Sequence, residues 1–320
     1  MMPNYGQQIP RRRLGKTELT VPIMSLGGVG VGGLATRVEE TEAIEGVQYA
    51  IEQGIDYIDT SPFYKESERR IGLAIEGYPR EKLILSTKTG THPDRWQDYS
   101  WDGTMWTVEN SLKLLGTDYI DLLLIHDPQD FEPAWQPRGA LAALEHLKEQ
   151  GVIKSIGLGQ RRHDYHKRAI ESGRFDAILT FNDYHPIHTS AKDEILPLAQ
   201  QHDVGVLNGA VMVHGLLTGG DPIEVNKNLV DPRPAYQVET AKHLYDFCQT
   251  HDVPMLAVVF QFCMRQEMIG CTLTGAKNKA EVDANFGAAL TPLPETIWDE
   301  LEALNLNALW EQGEAQHNQS

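Results

Sequence analysis

Cysteine, long apolar runs and positive charge are all scarce in this sequence. Only Cys248, Cys263 and Cys271 occur among 320 residues, and no two are spaced C-x-x-C. An odd, scattered set argues against a disulfide framework or a cysteine zinc site and reads as reduced thiols of a cytoplasmic protein. The longest apolar runs, such as Met255–Phe260 and Leu122–Ile125, fall far short of the roughly 20 residues that span a bilayer. Met1–Arg13 is basic, but no apolar stretch of signal-peptide length follows it, which also points to the cytoplasm. There are 28 Lys and Arg against 45 Asp and Glu, a net charge of −17. Such a field disfavours nucleic acid and anionic membranes as partners. An anionic cofactor would need a local basic patch or helix N-termini to offset it.

What is present is ample material for a core: 41% hydrophobic and 23% charged residues, a globular composition. Short apolar runs alternate with longer amphipathic stretches. Strands are expected near Ile23–Gly27, Ile55–Thr60, Leu83–Thr89, Tyr119–His126, Ile153–Gly159, Ala177–Asn182, Val204–Ala210 and Ile269–Gly275. Several are almost continuously apolar, as parallel strands buried on both faces should be. Between them Ala43, Ile44, Val47, Ala50 and Ile51 share one helical face, with Thr36 and Glu39 at capping-box spacing ahead. Ala140, Leu141, Leu144 and Leu147 repeat the pattern and Gly151 stops it.

Eight such units predict an α/β fold, a closed (β/α)8 TIM barrel, with an N-terminal β-hairpin over Leu14–Met24 (Gly15 in its turn) and extra C-terminal helices. No composition break divides the chain, so one domain, 1–320, is expected, with 1–12 and 311–320 flexible. Gly215–Pro234, rich in Gly, Asp and Pro, is expected to be a loop over the top face.

In a barrel, the C-terminal strand ends share one mouth. Here the second strand ends in Asp59-Thr60 with Tyr64 just beyond, the third in Thr87-Lys88, and the fourth in Ile125-His126-Asp127. Ionisable groups ending apolar strands are costly unless they meet and satisfy one another. A phenol titrates near 10, too high for easy proton exchange at neutral pH; an ammonium beside it favours phenolate, and a carboxylate would hold that ammonium in place. An imidazole could orient the substrate oxygen. Such a group suits protonating an oxygen while a hydride reaches its carbon, or the reverse.

Several segments resemble the aldo-keto reductases, in order and spacing from about Leu14 to Leu290. They are Gly54-Ile-Asp-Tyr-Ile-Asp-Thr-Ser-Pro-Phe-Tyr64, Ser67-Glu68 with Ile71-Gly72, Ser86-Thr-Lys88, Ser111-Leu with Leu115-Gly116, and Tyr119-Ile-Asp-Leu-Leu-Leu-Ile-His126. The resemblance implies Tyr64 as proton donor and acceptor, Lys88 and Asp59 as its tuners, His126 as substrate orienter, and an extended nicotinamide cofactor, NADP or NAD, across the mouth. Asp98-Tyr-Ser100, Asp102-Gly103, His126-Asp-Pro128 and Gly151-Val-Ile-Lys with Ile156-Gly157 resemble the aldose 1-dehydrogenase branch, which includes fucose and galactose dehydrogenases. That implies a small-molecule sugar substrate, with Trp96, Trp101 and Trp135 as candidate stacking surfaces.

The chain departs from the family pattern in places. Gly159-Gln160 stands where Ser-Asn commonly binds the carboxamide, Phe181 (or Asn182) where a Gln is usual, and Gly209, followed by Ala210, where a Tyr often stacks on the nicotinamide. At the adenosine end, Gly275, Lys277 and Asn285 match the family segment. Lys277 favours a 2′-phosphate, whereas Glu281 favours a free ribose hydroxyl.

Two other readings compete. Gly28-Val-Gly30-Val-Gly32-Gly33 satisfies G-x-G-x-x-G, the mark of a Rossmann dehydrogenase, but Leu34–Val38 delays the helix that should begin at the third glycine. A flexible first loop, with Gly28 and Val29 near the cofactor, is the simpler expectation. A cofactor-binding regulatory protein of the same fold, as potassium-channel β-subunits are, is the other. His163 with His166, and His185 with His188, are spaced as ligands but have no acidic or cysteine partner nearby in sequence; no metal site is assigned.

Overall fold

Burial on both faces turns the apolar runs into parallel strands, since the inner face must fill a barrel while the outer face meets helices. The computed structural model of the protein describes residues 4–34 and 36–319. An antiparallel hairpin, β1 (Arg11–Arg13) with β2 (Thr20–Pro22), precedes the first barrel strand, β3 (Met24–Gly27). Then come β4 (Tyr57–Asp59), β5 (Ile84–Thr89), a small hairpin of β6 (Thr91–His92) and β7 (Arg95–Trp96), and β8 (Ile120–His126). The remaining strands are β9 (Ile153–Gly159), β10 (Ala177–Phe181), β11 (Gly205–Gly209) and β12 (Cys271–Gly275). Strands β3, β4, β5, β8, β9, β10, β11 and β12 close in that order into a parallel barrel. The predicted (β/α)8 fold is observed, each expected strand lying close to its predicted bounds.

Leu14, Leu19 and Val21 of the first hairpin pack with Tyr57, Leu122, Leu124, Leu179, Leu207 and Leu273 inside the barrel. Gly205 opens β11, and a Cβ there would lie 2.6 Å from Leu14 Cγ, so the hairpin plugs the end where strands begin. The opposite end stays open for chemistry. Helices Glu40–Glu52, Ser67–Ile75, Trp101–Leu115, Ala140–Glu149, His163–Glu171, Ile195–Gln201 and Met255–Arg265 lie between successive barrel strands, and Lys279–Ala289 and Leu306–His317 follow β12. None is long and apolar enough to cross a membrane, among the described residues. The three cysteines are unpaired and buried, and burial raises all three thiols.

Four local expectations change. Thr36 does not cap a helix: the helix begins at Glu40, so Thr36 sits three residues before the N-cap Glu39, beyond reach of the first free amides. The glycine run is a short helix, Val29–Gly32, ended by Gly33 at φ 73°, not a flexible loop. Within Gly215–Pro234 lies the helix Pro222–Lys227, capped by the Asp221 carboxylate accepting from the Ile223 amide. The ends expected to be flexible are mostly regular: Tyr5–Gln8 is helical with Tyr5 buried against Phe286, and Leu306–His317 is helical with Trp310 buried. Residues 1–3 and 320 lie outside the described residues.

Candidate active site

Register decides which side chains face the mouth. Gly27 pairs with Asp59 and Asp59 with Ser86, Lys88 pairs with Leu124, His126 with Gly159, Phe181 with Gly209, and Gly275 with Gly27. Asp59, Lys88 and His126 are therefore inward residues at neighbouring strand ends. Tyr64 comes from the turn after β4, where its amide donates to the Ser61 carbonyl. The glycine run makes room for this turn: a Cβ on Gly32 would lie 1.7 Å from the Tyr64 carbonyl oxygen. That explains the G-x-G-x-x-G pattern as close packing, and the closed barrel rules out a Rossmann fold.

The four residues meet. Lys88 Nζ donates to Asp59 Oδ2 and to the Thr60 carbonyl, both at 2.6 Å, and Ser86 donates to Asp59 Oδ1 at 2.7 Å. The ammonium lies 4.9 Å from the Tyr64 ring centroid, and its charge acts on the phenol. Burial alone would depress Lys88, but Asp59 and Tyr64 hold its pKa above the ordinary value. Burial raises the Tyr64 pKa, and Lys88 only partly pulls it back, so the phenol is protonated at neutral pH. The sequence suggested a lysine-lowered phenol; in the structure desolvation outweighs the lysine.

His126 faces Tyr64 edge-on, with ring centroids 6.1 Å apart and planes at 89°. Burial and the Lys88 charge push its pKa well below the usual imidazole range, so the ring is neutral. Its Nδ1 is 2.7 Å from the Thr91 hydroxyl and 3.3 Å from that of Ser61. Nδ1 can accept from either hydroxyl, and in that tautomer Nε2 carries the proton and faces the open space. The strand end is fixed by Tyr99, whose hydroxyl donates to the His126 carbonyl. The sequence reading missed Thr91, Ser61 and Tyr99; Ser61 stood inside the family-like segment, but a hydroxyl's partner is not written in sequence spacing.

Several residues matched to a cofactor lie along the rim. A Cβ on Gly275 would meet nothing within 4 Å, so the shelf at the end of β12 is open, whereas Gly28 is packed against Ser67 and the Asp59 carbonyl. Asn285 donates to the Thr274 hydroxyl and the Gly275 carbonyl, fixing that shelf's floor. Phe181 is half-buried beside Gly209, and Ala210 follows at φ 55°. Lys277 and Glu281, read as opposing clues, bind each other: Nζ to Oε1 is 3.1 Å, and the Lys277 amide donates to Oε2. Gln160 is otherwise engaged. Its amide donates to the Pro128 carbonyl and its oxygen accepts from the Arg161 and Arg162 amides, so only its second amide N–H is left for a carboxamide.

Of the three tryptophans, only Trp96 reaches the mouth. It is 50% exposed and packs at 5.3 Å, tilted by 46°, against Phe63, which borders His126 at 6.5 Å. Trp101 opens the helix Trp101–Leu115 and packs beside His146, and Trp135 packs on Phe131 and Phe175, both outside the barrel. They are not substrate surfaces in this geometry, because helix formation turns them toward the outer layer. A groove of about 550 Å³ between the helices Ser67–Ile75 and Trp101–Leu115 shares no residue with the four-residue cluster. The paired histidines serve packing: His163 binds Asp183 at 2.9 Å, His166 is buried, and His188 stacks on Trp310 at 4.8 Å.

The sequence matches the family model described as Aldo/keto reductase family over residues 23–306. It is 27% identical to D-threo-aldose 1-dehydrogenase from Pseudomonas sp, covering 90% of this chain and 95% of that protein. It is also 27% identical to L-galactose dehydrogenase from Arabidopsis thaliana, covering 95% of each. Among solved structures, it is similar to an aldo-keto reductase from Bacillus halodurans in its holo form: TM-score 0.76, 26% identity, 92% of this chain and 96% of the other covered.

Proposed function

The chain belongs to the aldo/keto reductase family, and from that premise we propose that it moves a hydride between a nicotinamide dinucleotide and the carbonyl or hydroxyl carbon of a sugar-like substrate, with Tyr64 exchanging the proton. The observation that carries the reading is the buried Lys88–Asp59 pair set against the Tyr64 phenol, with a neutral His126 across the same space. The open shelf at Gly275, beside Gly28 and Val29, suits an extended dinucleotide, with Phe181 offering an apolar surface near the ring and Lys277, Glu281 and Asn285 near the adenosine end. A bound nicotinamide supplies or accepts the hydride.

The chain's own residues handle the oxygen. His126 Nε2–H donates to it and fixes it beside the Tyr64 hydroxyl. Tyr64, protonated at rest, gives its proton to that oxygen as charge builds there, or takes one back in the oxidative direction. The phenolate so formed lies against the Lys88 ammonium, which Asp59 keeps charged and in place. General acid–base groups placed this way contribute about 10²–10⁴-fold. Similarity to aldose and galactose dehydrogenases supports the sugar, and the Trp96–Phe63 pair offers an aromatic face for its C–H surface.

Tyr64→Phe should lower kcat by at least about 10²-fold across a panel of aldoses and aldehydes, followed by nicotinamide absorbance, with cofactor affinity preserved. Cofactor binding without turnover of any substrate, unaltered by the substitution, would refute the enzymatic reading and favour a regulatory protein of the same fold.

A further inference from the structure

Asp127 is an acid at the mouth that the proposed proton chemistry does not use. It follows His126 directly and adopts φ 42°, a left-handed conformation that aspartate and asparagine visit more readily than other non-glycine residues. The backbone is clamped there: the Asp127 amide donates to the Gly159 carbonyl at 2.8 Å, and Gln97 Nε2 donates to the Asp127 carbonyl at 3.0 Å. The clamp carries the carboxylate toward the reacting side. Its Oδ2 is 3.7 Å from His126 Nε2, and its charge acts on Tyr64. Among the described residues, no donor hydrogen-bonds to its oxygens, and no lysine or arginine pairs with it. The side chain is still 40% exposed, open to whatever occupies the mouth. Burial pushes its pKa up to about 6, with Lys88 pulling it back, so it is mostly charged at neutral pH.

A partly exposed carboxylate with no donor from the chain, held by a clamped backbone beside the oxygen-binding imidazole, is free to accept from a ligand. We infer that Asp127 selects the substrate by accepting a hydrogen bond from the hydroxyl on the carbon next to the reacting one, and by repelling carbonyl compounds that carry a carboxylate there. The inference rests on the reacting oxygen lying between Tyr64 and His126, as proposed above. Vicinal oxygens of a sugar are about a hydrogen bond's length apart, so one can accept from His126 Nε2–H while its neighbour donates to Asp127 Oδ2. Trp96 and Phe63 border the same space and would meet the sugar's C–H face. The substrate class is therefore a neutral 2-hydroxy carbonyl compound, an aldose among them, and not a 2-oxo acid.

The test compares glyceraldehyde, propanal and glyoxylate in the wild type and in Asp127→Asn, since asparagine tolerates the left-handed backbone. Asp127→Gly, which suits the same φ, guards against an effect peculiar to the amide. The wild type should prefer glyceraldehyde, measured as kcat/KM. Both variants should cut the glyceraldehyde-to-propanal ratio roughly tenfold and raise that of glyoxylate to glyceraldehyde. A purely structural role would slow all three aldehydes together; ratios within about twofold of wild type in both variants would overturn the inference. If no aldehyde is reduced and no aldose oxidised, the hydride-transfer proposal fails by itself, and calorimetric titration with galactose decides this one. Tighter binding to wild type than to Asp127→Asn supports it; equal or no binding overturns it.

Discussion

Replacing Asp59 with Asn exchanges a carboxylate oxygen for an amide nitrogen and leaves Lys88 as a buried cation without a counter-charge. In the native site the lysine has two acceptors at 2.6 Å, the Asp59 carboxylate and the Thr60 carbonyl, and side-chain exposures are 1% for Lys88 and 4% for Asp59. Water cannot compensate. Asparagine has one oxygen to offer, and the Ser86 hydroxyl, at 2.7 Å from Asp59 Oδ1, competes with Lys88 for it. Breaking a buried pair from one side costs about 3–5 kcal/mol. With an unfolding entropy near 2.1 cal/mol/K per residue, that lowers the Tm of a chain this size by roughly 5–7 °C.

The pH dependence gives the sharper sign. In the wild type the Lys88 pKa is raised, so its contribution is full below the ordinary lysine value near 10.4 and is lost as pH rises through the raised one. In Asp59→Asn burial dominates and depresses the lysine. Stability then rises with pH towards the ordinary lysine value and is lost as pH falls through the depressed one. Urea unfolding near pH 7 and at about pH 9.5 should therefore show the deficit shrinking in alkali. Adding Lys88→Met should recover much of the loss, because two neutral groups replace a stranded charge. A deficit below about 0.5 kcal/mol, or one that grows with pH, would refute the buried-pair argument.

Other outcomes follow from the same geometry. Lys88→Met alone should slow turnover by about two orders of magnitude or more while circular dichroism shows the fold retained; near-normal rates would remove the lysine from the mechanism. Glu68 is buried, accepts from Thr87 at 2.6 Å, and has its pKa raised by burial from 4.5 to about 7. It therefore favours folding below its ordinary pKa and loses that contribution as pH rises to about 7, at a cost of roughly 3 kcal/mol. Glu68→Gln should flatten the fall in urea stability between about pH 5 and 8, and an unchanged slope would contradict the burial argument. Glu281→Arg removes the carboxylate that occupies Lys277, at the proposed adenosine end, and frees its cation. The NADP-to-NAD ratio of kcat/KM should then rise about tenfold or more, and no change would place the 2′ position elsewhere.

Much of the barrel was legible from the chain alone because its strands are buried on both faces, which forces near-continuous apolar runs such as Leu122–Ile125. Asp59, Lys88 and His126 stood out for the same reason: an ionisable group ending such a run needs partners, and strand ends share a mouth. The tryptophans did not yield to this logic. Whether an aromatic after a strand faces the mouth depends on where the next helix begins, and Trp101 and Trp135 fall within helices facing outward.

Sequence by itself determined the periodicity, the order of the strands and the residues at their ends, since these depend on local burial demands. Tertiary structure alone decided how each polar group is spent. Gln160 is consumed by Pro128 and its own loop, Lys277 is neutralised by Glu281, and His126 is set by Thr91 and Ser61. Asp127 is left free by a backbone clamp that no spacing announces. A hydrogen bond is a relation across chain-distant atoms within about 3 Å, and one-dimensional order does not encode which of several donors arrives first.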